Sequence, residues 1–153
     1  MRKPLWNDLE EAREQILWGL KQADVVKLSD EEAFFLWNTQ DPKEAAKIIF
    51  DGYDVKLVFI TLGAKGCYYA NKKASGKVIA PAVKCIDTTG AGDIFGGSAL
   101  NKILKLGKSV EDLNEEELEE ICTFAVTAAS LSTEKIGGMS SVPEEKEVLA
   151  YLR

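Results

Sequence analysis

DTTGAGDIFGG, residues Asp87 to Gly97, places a carboxylate directly after three small residues and just before an apolar run. The small residues are Gly90, Ala91 and Gly92, and the carboxylate belongs to Asp93. This order predicts a short strand, a glycine-rich turn, and a helix with an acid in its first turn. Amides at a helix start bind anionic oxygens, and glycines let a phosphate approach closely. An acid there can also accept a proton from an attacking hydroxyl, so the stretch indicates phosphoryl transfer.

Two other glycine-rich phosphate motifs compete with this interpretation. The letters GAGDIFG loosely match the dinucleotide-binding pattern, but that fold needs a further strand after the helix, ending in an acid that holds the ribose. The segment that follows the helix is polar and then helical, with no strand to carry such an acid. A Walker-type loop needs Gly-Lys-Ser/Thr at its end, whereas Ser98 follows Gly97 directly. Both motifs are therefore rejected.

The composition is that of a water-soluble, single-domain protein. The chain has 153 residues, 46% of them hydrophobic and 29% charged, and a domain of this size buries roughly 68–70% of its unfolded surface. The net charge is −6 and no basic cluster is present, which excludes nucleic acid and anionic membrane surfaces as expected partners. No apolar run reaches the length of about 18 residues that a membrane-spanning helix requires. The lack of histidine removes the commonest general base and zinc ligand.

Cysteine usage predicts a cytoplasmic protein with reduced, mostly buried thiols. The thiols are widely spaced, odd in number and not preceded by a signal peptide. They are Cys67, Cys85 and Cys122. The tryptophans lie near predicted helix faces and are expected in the core; they are Trp6, Trp18 and Trp37.

Strands and helices alternate over the first half of the chain and helices dominate afterwards, which predicts a compact α/β sheet flanked by helices. Strands are predicted at residues 23–28, 56–61, 67–71 and 77–80. Helices are predicted at residues 7–22, 91–106, 114–133 and 143–152, with shorter ones opened by Ser29 and by Asp41-Pro42. Asn7 with Glu10 and Ser29 with Glu32 have capping-box spacing. The run KLVFIT is continuously apolar, as expected for a strand covered on both faces.

The stretch DTTGAGDIFGG resembles the signature of the ribokinase-like (PfkB) carbohydrate kinases, and the likeness extends over nearly the whole chain. RKPLW (residues 2–6) resembles a segment of bacterial fructokinases, and ADVVKLSDEE (residues 23–32) resembles their strand before a magnesium-associated acid. TLGAKG (residues 61–66) resembles a nucleotide-binding turn, and LSTEKIGGMSSVP (residues 131–143) an ATP-site loop. The likeness is greatest to fructokinases, although ketodeoxygluconate kinases share several of these segments. The resemblance implies a ribokinase-like α/β fold.

The resemblance also implies a role for each matching residue. Asp93 would be the base that activates the sugar hydroxyl, and Gly90, Ala91 and Gly92 would form an anion hole for the transferring phosphoryl group. Contact with ATP is implied for the turn residues Thr61, Gly63 and Gly66. Glu32 would organise magnesium through water. A monovalent-cation site, with K⁺ as the candidate ion, is implied at Asp87, Thr89, Ser132 and Gly137.

The implied function is ATP-dependent phosphorylation of a small sugar, with fructose as the expected substrate and ATP and Mg²⁺ as cofactors. The chain resembles only the second half of family members, so residues 1–153 are interpreted as a C-terminal nucleotide-binding half without the N-terminal strands, the sugar-binding residues and the lid. The alternative is a truncated, non-catalytic nucleotide-binding fragment. The isolated chain is expected to be inactive and to form homo-oligomers through an exposed sheet edge. A truncated reading frame, a cloned domain and a proteolytic remnant all remain open.

Overall fold

The computed structural model describes Trp6 and residues 8–153 as a four-stranded sheet with helices on both faces. The strands are β1 Val25–Ser29, β2 Leu57–Thr61, β3 Cys67–Asn71 and β4 Ser75–Val78. The helices are α1 Leu9–Leu20, α2 Asp30–Trp37, α3 Pro42–Gly52, α4 Ala91–Leu106, α5 Glu115–Ser132 and α6 Glu145–Tyr151, with short 3₁₀ turns at Gly63–Lys65 and Val110–Asp112. The predicted α/β sheet flanked by helices is confirmed.

The sheet has the order β1-β2-β3-β4, so sequence neighbours are also neighbours in space. β1 and β2 run parallel, whereas β3 and β4 continue the sheet in antiparallel fashion. Ser29 pairs with Thr61, so both parallel strands end at the same edge of the sheet. The first four residues of β2 are fully buried, because both faces of this central strand are covered, as the run KLVFIT predicts.

The core lies on both faces of the sheet. On one face, α4 and α5 cover β2 and β3, and the rings of Phe59 and Phe95 meet edge to face with centroids 5.5 Å apart. On the other face, α2 and α3 bury Leu36 and Ile49 against β1 and β2. The prediction for Trp18 is wrong, since its side chain is 62% exposed. The buried stripe of α1 consists of Ala12, the partly buried Ile16 and Leu20, which are spaced four residues apart. Trp18 lies off that stripe.

Side chains cap several helices where the sequence predicts caps. Ser29 and Glu32 form the predicted capping box at α2, each side chain accepting the other's backbone amide. Asp41 caps α3, and Pro42 occupies its first turn. Helix α1 begins after Asp8, whose carboxylate accepts the amide of Glu10 at 3.0 Å. The capping role predicted for Asn7 lies outside the described residues.

The short strand predicted immediately before the glycine-rich turn is absent, since residues 79–90 contain no strand. The amides of Ile86 and Asp87 instead donate to the carbonyl of Thr133, at 2.7 and 3.0 Å. Two bonds to one carbonyl at the end of α5 anchor the segment without a ladder of strand bonds. Across Trp6 and residues 8–153, none of the helices combines the length and apolarity needed to cross a bilayer.

Candidate functional site

The glycine-rich turn ends in an uncapped helix start. Gly90 has φ 80° and ψ −5°, a left-handed conformation that favours glycine, and precedes the first residue of α4 without a side-chain cap. The amide of Ala91 donates to Thr88 at 3.2 Å. No backbone or side-chain acceptor among the described residues takes the amides of Gly92 and Asp93. Such amides carry the positive end of the helix dipole, and their chemistry suits an anion.

Asp87 holds this turn against the loop that follows α5. Its Oδ1 accepts the amide of Thr89 and its Oδ2 accepts the amide of Gly137, both at 2.9 Å. The amide of Gly137, followed by Thr89, lowers the pKa of Asp87 from its ordinary value, because both bonds favour the ionised carboxylate. A Cβ built on Gly90 would lie 3.1 Å from Cα of Gly138. The two loops therefore pack backbone to backbone, and a side chain at Gly90 would push the loop of Gly138 back by a few tenths of an ångström.

A cavity of about 540 Å³ lies between the turn after β2 and the start of α4. Its lining is mainly apolar and rich in small residues. From the predicted nucleotide turn come Thr61, Gly63 and Gly66. From α4 and α5 come Ala91, Gly92, Phe95, Val126, Ala129 and Ser130. The structure therefore brings together two segments for which the sequence separately predicts contact with one ligand.

The turn after β2 depends on two glycines. Gly63 has φ +56° and is exposed, with open space where a Cβ would lie. Gly66 has φ +95°, and a Cβ there would lie 1.9 Å from the carbonyl oxygen of Val78. Any side chain at Gly66 would therefore collide with the backbone at the end of β4. Thr61 donates its hydroxyl to the carbonyl of Leu28 at 3.3 Å, which ties β2 to β1 beside the cavity.

Asp93 lies on the other side of the turn, in a groove of about 640 Å³. Gly90 and Asp93 line this groove together with Ser98 and Asn101 of α4 and with Met139. The carboxylate of Asp93 is exposed and makes no hydrogen bond or ion pair among the described residues. The short turn Gly90–Asp93 thus faces two spaces, the cavity through Gly92 and the groove through Asp93.

Glu32 is brought to the same edge of the sheet but not into the cavity. It lies in the first turn of α2, directly after β1, and lines a separate groove with residues of α1 and α2. Burial opposes its charged form, yet the hydrogen bonds that the carboxylate accepts, including that from Ser29, and the charge of Lys27 hold the pKa of Glu32 below its usual value. An ionised carboxylate at this strand end fits Mg²⁺, which in proteins keeps several waters and relies on substrate phosphates.

The four predicted cation-site residues are brought together only in part. Asp87 directly bonds Thr89 and Gly137. Ser132 is buried at the end of α5, where its hydroxyl donates to Ala129 at 2.7 Å and its carbonyl accepts the amide of Lys135 at 3.3 Å. Within the described part of the chain, no three acidic or thiol side chains come together in a way that could hold a metal ion. A cation here would depend on backbone carbonyls.

Sequence reasoning missed two side chains near the turn. Cys85 is exposed and lines the cavity, while the other two cysteines are buried in the core. Lys27 lies in the middle of β1, and a Cβ built on Gly92 would come within 3.1 Å of its Nζ. In the sequence, Lys27 stands out only as a charged residue inside an apolar strand. That pattern predicts a half-exposed side chain, but it does not predict which group the side chain lies near.

The chain is similar in sequence and in structure to known proteins of one family. The family model described as pfkB family carbohydrate kinase matches residues 1–145. Fructokinase-2 of Solanum lycopersicum is 38% identical over 153 residues, which is 100% of this chain and 46% of that protein. A fructokinase double mutant from Vibrio cholerae O395, with fructose, ADP and potassium bound, is 33% identical with a TM-score of 0.87, covering 100% of this chain and 48% of that one.

A third similar protein is fructokinase of Xylella fastidiosa with bound ATP, which is 28% identical with a TM-score of 0.88 over 99% of this chain and 49% of that one. The chain therefore spans about half the length of the relatives it matches, and it shares their ribokinase-like fold over that half. Because the family model covers residues 1–145, which include the glycine-rich turn and the turn after β2, the chain belongs to the pfkB family of carbohydrate kinases.

Proposed function

We propose that residues 1–153 form the C-terminal, nucleotide-binding half of a ribokinase-like sugar kinase that transfers the terminal phosphoryl group of ATP to a sugar hydroxyl. The observation that carries this proposal is the position of the turn Gly90–Asp93 between a cavity and a groove. Such a position suits a reaction in which a donor and an acceptor meet at one anion-binding turn. Fructose is the proposed sugar, because the similar proteins are fructokinases and one of them has fructose bound.

ATP is proposed to occupy the 540 Å³ cavity with its phosphates towards the start of α4. The mainly apolar lining suits an adenosine, and Thr61, Gly63 and Gly66 form the wall opposite α4. The unpaired amides of Gly92 and Asp93, in a turn shaped by Gly90 and Ala91, would bind the oxygens of the terminal phosphate. Amides already fixed in place stabilise the charge that develops during transfer, without reorganising.

Asp93 is proposed as the general base. Its carboxylate would accept the proton of the sugar hydroxyl while the hydroxyl oxygen bonds to the γ-phosphorus of ATP. The bond between that phosphorus and the bridging oxygen breaks, and ADP leaves with the electron pair. Asp93 lines the groove and has no partner among the described residues, so its oxygens are available to a substrate there.

Metal ions are proposed at two places. Glu32 would orient the waters of a magnesium ion, which when bound neutralises charge on the ATP phosphates. The segment of Asp87, Thr89, Ser132 and Gly137 is the proposed monovalent-cation site, and the similar Vibrio cholerae fructokinase contains potassium. Here Asp87 would act mainly by orienting the loops, since both of its oxygens accept amides.

A non-catalytic nucleotide-binding fragment is the second candidate function. It is favoured by coverage, since the chain matches only 46% of the tomato relative and 48% of the Vibrio cholerae chain. Under this alternative the cavity still binds ATP, but no sugar is phosphorylated by the isolated chain. The two candidates therefore share the nucleotide site and differ in turnover.

Calorimetric titration with Mg-ATP, with and without fructose, tests both candidates. Mg-ATP is expected to bind in either case. Binding that fructose leaves unchanged would favour the fragment, whereas heat that continues only when fructose is present would mean turnover by this chain. A wild-type chain that binds no Mg-ATP would contradict the proposed nucleotide site.

Cys85 offers a second readout of the same cavity. It is the exposed thiol among three free cysteines and lines the cavity wall. ATP is therefore expected to slow alkylation of Cys85 by a maleimide reagent, measured by intact mass. A Cys85→Ser variant is the control, because its two remaining thiols are buried and should stay unmodified in the folded chain. Alkylation at the same rate with saturating ATP would place the nucleotide elsewhere.

A further inference from the structure

Lys27 brings a positive charge to the start of α4. In β1 the side chains of Val26 and Leu28 are buried against α2 and α3, so alternation along the strand places Lys27 on the opposite face. Its strand partner is Phe59, whose ring packs against Phe95 of α4. The ammonium lies where a Cβ on Gly92 would be only 3.1 Å away. A charged group is thus placed beside the unpaired amides of the turn.

The ammonium of Lys27 has no ion pair or hydrogen bond within Trp6 and residues 8–153. The residue is half-buried, which sets it apart from the exposed lysines of the ion pairs with Asp112 and Glu145. Removing a charged group partly from water costs free energy unless a partner compensates for it. Nearby acids are Glu32, whose carboxylate feels its charge, and Asp93 in the adjoining turn. The lysine is therefore positioned to bind an anion at the turn.

The absence of a side chain at Gly92 supports the same conclusion. Its backbone is that of an ordinary helix, with no positive φ, so its conformation does not require glycine. A helical glycine destabilises a helix by roughly 0.5–1 kcal/mol relative to alanine. The space that an alanine methyl group would take is the space next to Nζ of Lys27. The missing side chain thus keeps a small volume open between an ammonium and two free amides.

We propose that Lys27 is a phosphate-binding residue, whose ammonium contacts the terminal phosphoryl group held by the amides of Gly92 and Asp93. This inference rests on the proposed nucleotide function and deepens it, because it assigns the charge that distinguishes ATP from AMP at the site. The amides alone supply partial charges, whereas an ammonium supplies a full one. The contact also predicts that ATP binding weakens as the salt concentration rises.

Substitution of Lys27 tests the contact. Titration calorimetry compares the wild type with Lys27→Met, Lys27→Arg and the control Lys47→Met, using Mg-ATP, Mg-ADP and AMP. Lys47 is an exposed lysine of α3, which packs on the other face of the sheet. Lys27→Met is expected to weaken Mg-ATP binding about tenfold or more, the loss typical of a charge-assisted hydrogen bond, while AMP binds as before. Lys27→Arg should recover most of the affinity, and Lys47→Met should lose none.

Lysine labelling of the wild-type chain removes any dependence on the folding of a variant. An acylating reagent followed by peptide mass analysis should show Lys27 protected by Mg-ATP but not by AMP, with Lys47 labelled equally in both. Equal ATP affinity of Lys27→Met and wild type, or equal labelling of Lys27 with ATP and AMP, would overturn the Lys27 assignment alone. A wild-type chain that binds none of the three nucleotides would overturn the proposed function and this inference with it.

Discussion

Asp87 and Asp93 are close in the sequence, yet their carboxylates have different surroundings. Asp87 accepts two backbone amides and joins the glycine-rich turn to the loop after α5. Asp93 is exposed to the groove and accepts no hydrogen bond among the described residues. The first carboxylate therefore positions the turn, and the second is available for chemistry. For this reason only Asp93 is proposed as the base.

Asp93→Asn in a full-length relative or fusion is expected to remove nearly all turnover while ATP still binds. An amide cannot accept the hydroxyl proton, and a general base contributes about 10²–10⁴-fold to the rate. Steady-state kinetics and nucleotide titration measure the two effects separately. Glu116→Gln is the matched control, since Glu116 is an exposed first-turn acid of α5 outside both the cavity and the groove. Turnover near the wild-type rate in Asp93→Asn would contradict the assignment.

Asp87→Asn is expected to lower the melting temperature at neutral pH but not in acid. The folded pKa of Asp87 lies below its ordinary value of 3.8, because the amides of Gly137 and Thr89 favour the ionised form. The ionised carboxylate therefore stabilises the fold above the unfolded pKa, and this contribution is lost as the pH falls through the folded pKa. Thermal unfolding of the wild type and Asp87→Asn, from strongly acidic to neutral pH, measures the difference between their melting temperatures. This difference should shrink as the pH falls below 3.8, the ordinary pKa of the carboxyl.

The control for this experiment is Asp51→Asn, since Asp51 is exposed on α3 and forms none of the hydrogen bonds or ion pairs seen among the described residues. The difference in melting temperature between Asp51→Asn and the wild type should not change with pH in the same way. A difference between the wild type and Asp87→Asn that stays constant across this pH range would show that the two amide bonds do not depend on ionisation.

Among the secondary-structure elements, it is their ends that make the site. The parallel strands β1 and β2 end side by side, the turn after β2 forms one wall of the cavity, and the start of α4 forms another. Ligands of open α/β sheets bind in this position, outside the carboxyl ends of the parallel strands. The antiparallel β3 and β4 serve this arrangement by fixing the turn, because the end of β4 packs on Gly66.

Gly66→Ala is expected to destabilise the chain by about 3 kcal/mol and to weaken ATP binding. An alanine would have to adopt a left-handed conformation, and its methyl group would overlap the carbonyl oxygen of Val78, so the turn must move. Urea unfolding measures the free energy. Gly52→Ala is the matched control, since Gly52 ends α3 with open space around it, and its change should stay within about 0.5 kcal/mol. Equal stability of the two variants would refute the steric argument.

Within the described part of the chain, the surface carries exposed apolar groups, and the sheet ends in two edge strands, β1 and β4. Leu104 and Ile136 are each 78% exposed, and β1 has no strand on its outer side among the described residues. The opposite edge is less suited to pairing, because β4 has four residues and exposes Ser75 and Lys77. The outer side of β1 is therefore the proposed route to self-association.

The chain is expected to form dimers or larger assemblies at micromolar concentration, measured by light scattering. Val25→Pro is expected to reduce the mass towards that of a monomer. The carbonyl of Asp24 accepts the amides of Lys56 and Leu57, so it points towards β2. Since successive residues of a strand point their backbone polar groups to opposite sides, those of Val25 point to the outer edge. A proline there would remove an outward N–H and block pairing with another chain. Ile79→Lys changes an exposed residue beyond β4 and should leave the assembly intact. A monodisperse wild-type monomer would rule out association through β1.

Much of the fold follows from local patterns. The apolar run of β2, the capping box at Ser29 and the Asp-Pro start of α3 each depend on residues next to one another, and the structure agrees with all three. The strand predicted before the glycine-rich turn is wrong because a distant carbonyl, that of Thr133, binds its amides. The core position predicted for Trp18 is wrong because its side chain lies off the buried stripe of α1, which includes Ala12 and Leu20.

Local sequence alone predicts where the glycine turns lie, which helix carries an acid in its first turn, and the order of the helices and strands. Turn conformations and helix starts depend on only a few consecutive residues, so such features can be predicted. The family model that matches residues 1–145 includes these segments. Folding in three dimensions is what brings Asp87 to Gly137, sets the turn after β2 across a cavity from α4, and lays Lys27 against Gly92. These contacts join residues far apart in the chain, and their geometry depends on how the helices pack on the sheet, which consecutive residues alone do not determine.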